Sequence, residues 1–428
     1  MTRAWAWCRA WLSSLLLTVS LAAGCADYTE VDDLYVMTGL GVDVADDGRL
    51  RVTADIINPD ASQSQQTVGT GGGSQTPDLV VQTEADSLEM AIDDVQRRLP
   101  HRVYLSHNAV VVLGEGIVQR QLQSLMDELE RNRSIRRSEL LIMTKDRAAD
   151  VLSARVAASV SSALRLQDVV EQAADWSPVL RSDQLHVMRR WLSPSGTSAM
   201  IWIDRNGQGE PIVRGLALVT REGRTLWVDA KEWRGMLWWL SSTRGLLDSV
   251  ACPKPHGTRI FGGGRAREAA GHQGEDGLTR LDETVLVHWL STRTRVRWAG
   301  TAQRPRFWVE WRGEGEVERG CASMRLDTDA YSRLEAAAAS LVRTEMQAAL
   351  QRARRAGVDA MGLQNALYQA DAKAYQALAA HPDWWQTAPV HYDIRARLVR
   401  SYMVTHSPFG EYARESQKKS LGTGGLSR

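Results

Sequence analysis

The sequence predicts an α+β protein with α/β character in its first domain, built as three successive domains that are each a β-sheet with flanking helices. Three observations predict this. Strand-length apolar runs alternate with amphipathic helical stretches between residues 86 and 156. Pro194, Ser195 and Gly196 then interrupt the alternation, and a new set of strand-like runs begins at Thr284. The expected domains are residues 25–193, 194–281 and 282–406, followed by a polar, disordered tail at 407–428.

The first domain opens with strand-like runs at 34–43 and 50–57 around an Asp-Asp-Gly turn at 46–48, which predicts a hairpin. Residues 60–78 are rich in Ser, Gln, Thr and Gly, so we expect a surface loop there. Asp86 and Glu89 have the spacing of a capping box and precede an amphipathic helix. Later strands are expected at 109–113 and 139–143. Each is followed by a helical stretch, so parallel pairing is expected.

The middle domain is expected to contain strands at 199–203, 213–219 and 225–228 with Gly turns between them, then a tryptophan-rich helix around 233–240. Residues 252–280, rich in Gly and Arg, predict a long exposed loop. The third domain is expected to have these elements: strands at 285–290, 295–298 and 307–311, helices at 334–356 and 363–380, and a final strand of period-2 alternation at 390–398.

Residues 1–24 have the layout of a secretory signal peptide. Arg3 and Arg9 are followed by an apolar run at 11–23 that is too short to span a bilayer. The run ends in Ala-Ala-Gly before Cys25, which resembles a bacterial lipoprotein signal. We therefore predict that Cys25 is lipidated, carrying acyl chains such as palmitate, because two or more chains hold a protein stably on a membrane. A permanent N-terminal membrane helix and an incidental buried Cys25 are the alternatives.

Composition argues against a nucleic-acid partner and leaves open whether the chain contains a disulfide. Without Arg3 and Arg9 the chain has 50 basic and 51 acidic residues, whereas a nucleic-acid-binding protein carries a basic excess. Of the four cysteines, Cys8 leaves with the signal and Cys25 carries lipid. Cys252 and Cys321 can pair in an oxidising exterior, but nothing in the sequence brings them close, so this disulfide stays open. No Cys/His spacing indicates a metal site.

No catalytic residue is predicted. The chain has no nucleophile elbow, HExxH or P-loop, and Gly39-x-Gly41 lacks the third glycine of a nucleotide loop. Ser416 and Lys419 have serine-lysine spacing but lie in the tail. His107 and Asn108, before the strand at 109–113, are best interpreted as hydrogen-bonded structural residues. Asp93 and Asp94 indicate a solvated helix face. Most of the 16 tryptophans are expected to lie in a core, and the alternative is that Trp238 and Trp239 stack against a ligand.

The order of these features resembles the Ger(x)C family, the C subunits of spore-germination nutrient receptors. Six segments carry the resemblance: Asp33-Leu34 after the lipidated cysteine, Thr38-Gly39-Leu40-Gly41-Val42-Asp43, Ile56-Ile57-Asn58-Pro59, residues 99–108, Val358-Asp359-Ala360-Met361-Gly362, and Trp384-Trp385 before the final strand.

The resemblance implies a non-enzymatic, three-domain lipoprotein without cofactor or metal. It implies a location on the outer face of the spore inner (cytoplasmic) membrane, with the lipid on Cys25 as the anchor. The partners implied are membrane-embedded A and B receptor subunits, with which it would sense small nutrients and trigger germination. Whether this subunit binds a small molecule itself is not implied. The alternative function is a tethered extracytoplasmic solute-binding lipoprotein.

Overall fold

The structure, a computed structural model, contains β-sheets flanked by helices, and the predicted fold class is confirmed. It describes residues 11, 34–57, 78–154, 161–176, 180–240, 243–252, 284–319, 327–381 and 383–401. Cys25, the signal peptide apart from Trp11, almost all of the predicted loops at 60–78 and 252–280, and the predicted tail lie outside the described residues.

Within the described residues the first sheet has nine strands, ordered β3-β2-β1-β5-β6-β7-β8-β9 with β4 also beside β1. β1, β5, β6 and β7 are parallel neighbours at the centre, and antiparallel hairpins extend both edges. The strands are β1 (Leu34–Val44), β2 (Leu50–Ile57), β3 (Asp78–Ala85), β4 (Arg102–Tyr104), β5 (Val110–Gly114), β6 (Leu140–Thr144), β7 (Thr197–Arg205), β8 (Pro211–Thr220) and β9 (Thr225–Asp229).

Helices cover both faces of this sheet, which explains why its central strands read as continuous apolar runs. Val110 and Val112 of β5 face one core, and Val111 and Leu113 face the other. The helices between the strands are α1 (Leu88–Arg97), α2 (Glu115–Arg120), α3 (Leu122–Arg131), α4 (Ala148–Leu152), α5 (Ser162–Trp176) and α6 (Gln184–Trp191).

The second sheet has four strands in the described chain, in the order β10 (Leu246–Ala251), β11 (Thr284–Trp298), β12 (Phe307–Arg319) and β13 (Val390–Ser401). β12 and β13 are parallel, because helices return the chain between them. The helices of this part are α7 (Arg234–Leu240), α8 (Thr328–Ala356), α9 (Leu363–Ala370), α10 (Ala372–Leu378) and α11 (Trp384–Thr387).

Tryptophans form the centre of the second core. Trp238, Trp289 and Trp311 are fully buried, with ring centroids 5.2–6.2 Å apart in edge-to-face arrangements. The indole N–H of Trp238 donates to Glu345 at 2.7 Å, and that of Trp239 donates to the Met346 carbonyl at 2.8 Å. The indole N–H groups of Trp238 and Trp239 are thus satisfied within the core, whereas the indole nitrogen of Trp311 has no hydrogen-bond partner among the described residues. Stacking of a ligand on Trp238 is therefore not supported.

The domain boundaries stay a prediction, and the sheet pairing bears on them. β7, β8 and β9, expected to begin a middle domain after residue 193, join the sheet of β1. In the pairing of β7 with β6, Ile201 lies beside Ile142 and Trp202 beside Met143. The expected boundary at residue 193 therefore falls between two strands of one sheet. One apolar cluster also extends from β5 to the tryptophans of the second sheet.

Most local predictions are confirmed, and the departures include the cap of α1, which is Ser87 and not Asp86. The helix expected at 363–380 is two helices, because Asp371 ends α9 and caps α10 by accepting the Ala374 N–H at 2.9 Å. The runs expected at 285–290 and 295–298 are one strand, β11, with an irregularity beside Ser291. Strands β3, β4 and β10 were not predicted; Asp78, assigned to a loop, begins β3.

Cys252 directly follows β10 and is disulfide-bonded, with its partner outside the described residues. Ala251 of β10 lies beside Thr284 of β11, and Arg319 of β12 lies beside Leu286 of the same strand. The chain therefore leaves β10 and β12 at the same end of β11, which favours Cys321, two residues after Arg319, as the partner. The sequence left the pairing of Cys252 with Cys321 open, and Cys321 itself lies outside the described residues.

Candidate functional site

The predicted lipidation site, Cys25, lies outside the described residues, so its modification stays a prediction. The described chain resumes at Leu34, nine residues later, where β1 begins. Among the described residues no helix combines the length and apolarity needed to cross a membrane. In the same part of the chain, no three His, Cys, Asp or Glu side chains lie together in a way that could hold a metal ion.

The family-like segment at 38–43 joins the first sheet to its helices. Asp43, at the end of β1, accepts the backbone N–H groups of Ala148 at 2.9 Å and Ala149 at 3.2 Å, which open α4. A carboxylate at a helix N-terminus satisfies amides that have no partner within the helix. Burial raises the pKa of Asp43, and the two amide bonds partly oppose that rise.

The glycines of the segment allow the helices to approach β1. A Cβ at Gly39 would lie 2.4 Å from the Ala163 Cβ, and one at Gly41 would lie 2.8 Å from Leu152 Cδ1. Real Cβ contacts are not that short, so both positions require glycine for packing. The Gly-x-Gly pair therefore serves the sheet–helix contact.

Asp55 of β2 makes the second such link. It accepts from the Ser161 hydroxyl at 2.9 Å and from the Ala163 N–H of α5 at 2.8 Å. Thr38 and Ser161 are hydrogen-bonded to each other at 2.9 Å in the same buried group. Burial raises the pKa of Asp55 to about 6. Sequence reasoning missed Asp55; its signal was a lone carboxylate inside an apolar strand.

His107 and the neighbouring Asn108, considered as a site from the sequence, lie just before β5 as structural residues. The His107 ring packs edge-on against Tyr104, with centroids 5.4 Å apart. Asn108 is buried and donates its amide to Glu139 at 2.8 Å and to the Val110 carbonyl at 3.2 Å. Burial raises the pKa of Glu139 to about 7. No hydrogen bond joins His107 to Glu139 in this described region, so the geometry assembles no acid–base pair.

We expect Glu139→Gln to flatten the pH dependence of stability between about pH 4.3 and 7. The folded pKa lies above the unfolded value of about 4.3, so only the folded protein keeps its proton in that window. The wild type therefore loses stability as pH rises, by about 3 kcal/mol from this group. Urea unfolding at several pH values measures it. Exposed Glu171→Gln is the control, and identical wild-type and Glu139→Gln pH profiles would contradict the prediction.

The remaining sequence candidates that the structure describes, Asp93 and Asp94, do not form a site. Asp93 pairs with Arg97 at 2.7 Å on the exposed face of α1, and Asp94 pairs with Arg98 at 2.5 Å, as expected for a solvated helix. Ser416 and Lys419 lie outside the described residues.

A cleft lies where the two sheets meet. We call it the inter-sheet cleft; its volume is about 540 Å³. The segment at 358–362 forms one wall, where buried Asp359 accepts the N–H groups of Leu363 at 3.0 Å and Gln364 at 2.8 Å to cap α9. Burial raises the pKa of Asp359 to about 6. Arg189 and Arg190, at the end of α6, also line the cleft. Sequence reasoning identified Asp359 only within a motif and missed both arginines.

The fold and these sites define an α+β protein whose buried carboxylates cap helices. Two family models match the chain. "Spore germination protein N-terminal domain" matches residues 27–204, and "Spore germination B3/ GerAC like, C-terminal" matches residues 214–402. The chain therefore belongs to the Ger(x)C family of spore germination proteins.

Curated relatives agree over a shorter length. The chain is 26% identical to Spore germination protein KC of Bacillus subtilis (strain 168) over 137 residues, 32% of this chain and 33% of that protein. It is 28% identical to Spore germination protein B3 of the same organism over 132 residues, 30% of this chain and 33% of the relative. The chain thus spans about a third of each relative. A crystal structure of the GerBC protein superposes with a TM-score of 0.48 at 13% identity, covering 84% of this chain and 97% of that one.

Proposed function

We propose that the chain is the lipid-anchored C subunit of a nutrient germinant receptor, which contributes to spore germination by assembling with membrane-embedded A and B subunits. In this proposal it is non-enzymatic and lies on the outer face of the spore inner membrane. The observation that carries the proposal is the family match, which spans both halves of the chain and begins at residue 27, two residues after Cys25.

The geometry around β1 supports an arrangement in which the start of β1 faces the membrane. Nine residues span at most about 30 Å, so an anchored Cys25 would keep the start of β1 near the bilayer. Arg102 of β4 lies beside Leu34, and Arg136 and Arg181 line a cavity with Val36 at the same end of the sheet. All three arginines are exposed, and cations at this position suit anionic headgroups.

The Cys25→Ala variant tests the anchor. We expect the protein to leave the membrane fraction and the spores to germinate more slowly in nutrient, because no other acyl attachment site is predicted. The fractions are compared by immunoblot, and germination by the loss of optical density. Cys8→Ala, which changes a cysteine within the signal peptide, should behave as wild type. Full membrane retention and normal germination in Cys25→Ala would reject the anchored role.

Assembly is tested separately. An affinity tag on this chain is used to purify it from detergent extracts of spore membranes. Co-purification of two membrane-embedded subunits is the expected result. Recovery of the chain alone, under conditions that preserve its membrane association, would contradict the receptor role and leave the anchor intact.

The alternative, a tethered solute-binding lipoprotein, has one observation in its favour. The inter-sheet cleft is open and has a volume usual for small-molecule sites. Its tryptophan component is limited to Trp239, which is almost fully buried. Saturable binding of a nutrient by the isolated chain, together with normal germination without it and no co-purifying membrane subunits, would favour this alternative.

A further inference from the structure

The inter-sheet cleft contains a half-buried arginine with no partner. Arg190 lines the cleft at the end of α6, and burial lowers the pKa of its guanidinium. Within the described chain, the guanidinium makes no hydrogen bond and no ion pair, and burial is the cause of its lowered pKa. A guanidinium carries five N–H donors, and leaving them partly desolvated without acceptors is unfavourable. An oxyanion entering the cleft would satisfy them.

The carboxylates nearest to the cleft are already engaged. Asp359 caps α9, and its pKa is further influenced by a hydrogen bond from Ser195. Asp183 caps α6 through the His186 N–H at 2.9 Å and contacts His186 Nδ1 at 2.7 Å. Neither acid neutralises Arg190. Arg189, also in the lining, forms no ion pair among the described residues, so the cleft keeps a positive end.

The other part of the lining is apolar. Leu240, Val296, Met361 and Ala366 contribute to it, and Asn365 and Gln369 also line the cleft. A ligand that fits both parts has an anionic group at Arg190 and a small aliphatic group against these side chains. A bidentate pair with a planar carboxylate is the geometry that arginine favours.

We propose that the inter-sheet cleft binds a small aliphatic carboxylate, whose anionic group pairs with Arg190 and whose hydrocarbon part contacts Val296, Met361 and Ala366. The binding requires neither the lipid on Cys25 nor a partner subunit. Release of Cys25→Ala from membranes therefore tests the anchor, and the experiment below tests the cleft.

Calorimetry of the signal-free chain carrying Cys25→Ala tests the cleft, with isovalerate, isovaleramide and inorganic phosphate as probes. We expect saturable isovalerate binding that is about 10- to 100-fold tighter than binding of the neutral amide, because a charge-assisted pair is lost. Phosphate should bind more weakly, since it has no aliphatic part. Absence of saturable isovalerate binding, or equal affinity for isovalerate and its amide, would overturn the proposal. Phosphate binding as tight as that of isovalerate would also overturn it.

Variants locate the site. Arg190→Gln should weaken isovalerate binding about 10-fold or more, whereas Arg133→Gln, an exposed arginine in the loop before β6, should not. Ala366→Leu keeps Arg190 but fills part of the cleft beside the aliphatic residues, so it should also weaken binding. Thermal unfolding confirms that each variant folds. If Arg190→Gln is unfolded, the Ala366→Leu result decides, and unchanged affinity in the folded variants would reject this location.

Discussion

Replacing Arg234 by glutamine is expected to lower the free energy of unfolding by about 3 kcal/mol at pH 7, the lower end of the range for breaking a buried ion pair. Arg234 lies between two carboxylates, 3.0 Å from Asp248 and 3.4 Å from Glu345. The Asp248 side chain is completely buried, while about a third of the Arg234 side chain is exposed. Without the guanidinium, the two carboxylates repel each other and Asp248 is left uncompensated.

The deficit of Arg234→Gln should depend on pH. Burial already raises the pKa of both Asp248 and Glu345, and loss of Arg234 raises them further. A carboxyl group whose pKa is higher in the folded than in the unfolded protein lowers stability as pH rises above its unfolded pKa. The loss of stability in Arg234→Gln should therefore be small near pH 4 and complete at pH 7. Urea unfolding at both pH values measures this. Arg297→Gln, which breaks an exposed pair with Glu310, should cost less than about 1 kcal/mol. A pH-independent deficit would contradict the explanation.

Replacing Gly39 should have the second large effect. Gly39→Ala is expected to cost about 2 kcal/mol and Gly39→Val about 3 kcal/mol, because the added atoms must displace Ala163 and Leu152. The shift of Ala163 would also weaken its bond to Asp55. Denaturant unfolding provides the measurement.

Gly207→Ala is the matched control for Gly39→Ala. A Cβ at Gly207 meets no atom within 4 Å, and its backbone is not left-handed, so stability should change by less than about 0.5 kcal/mol. If both alanine variants have equal stability, the close packing of β1 against α5 does not limit residue 39.

Much of the local structure was predictable because the signals are contiguous. The hairpin at Gly48, the end of α8 at Gly357, and the alternation of β13 follow from turn chemistry and periodicity within a few residues. The prediction failed where one residue redirects the chain, as Asp371 does between α9 and α10.

The sites were harder to predict than the elements. The segment at 38–43 was identified by resemblance, but the partners of its carboxylate lie more than 100 residues away, at Ala148 and Ala149. Asp55 and Glu139 read as ordinary strand residues. Their raised pKa values result from burial by several separate elements, which no local pattern reports.

The sequence by itself determined the fold class, most helices and strands, and the family to which the chain belongs. Those properties depend on short-range periodicity and on residue types at fixed spacing. The tertiary structure alone decided that β7 to β9 complete the first sheet, and that Arg190 and Met361 line the same cleft, with no acidic side chain paired to Arg190 among the described residues. The physical reason is that pairing and desolvation depend on which distant segments meet in space.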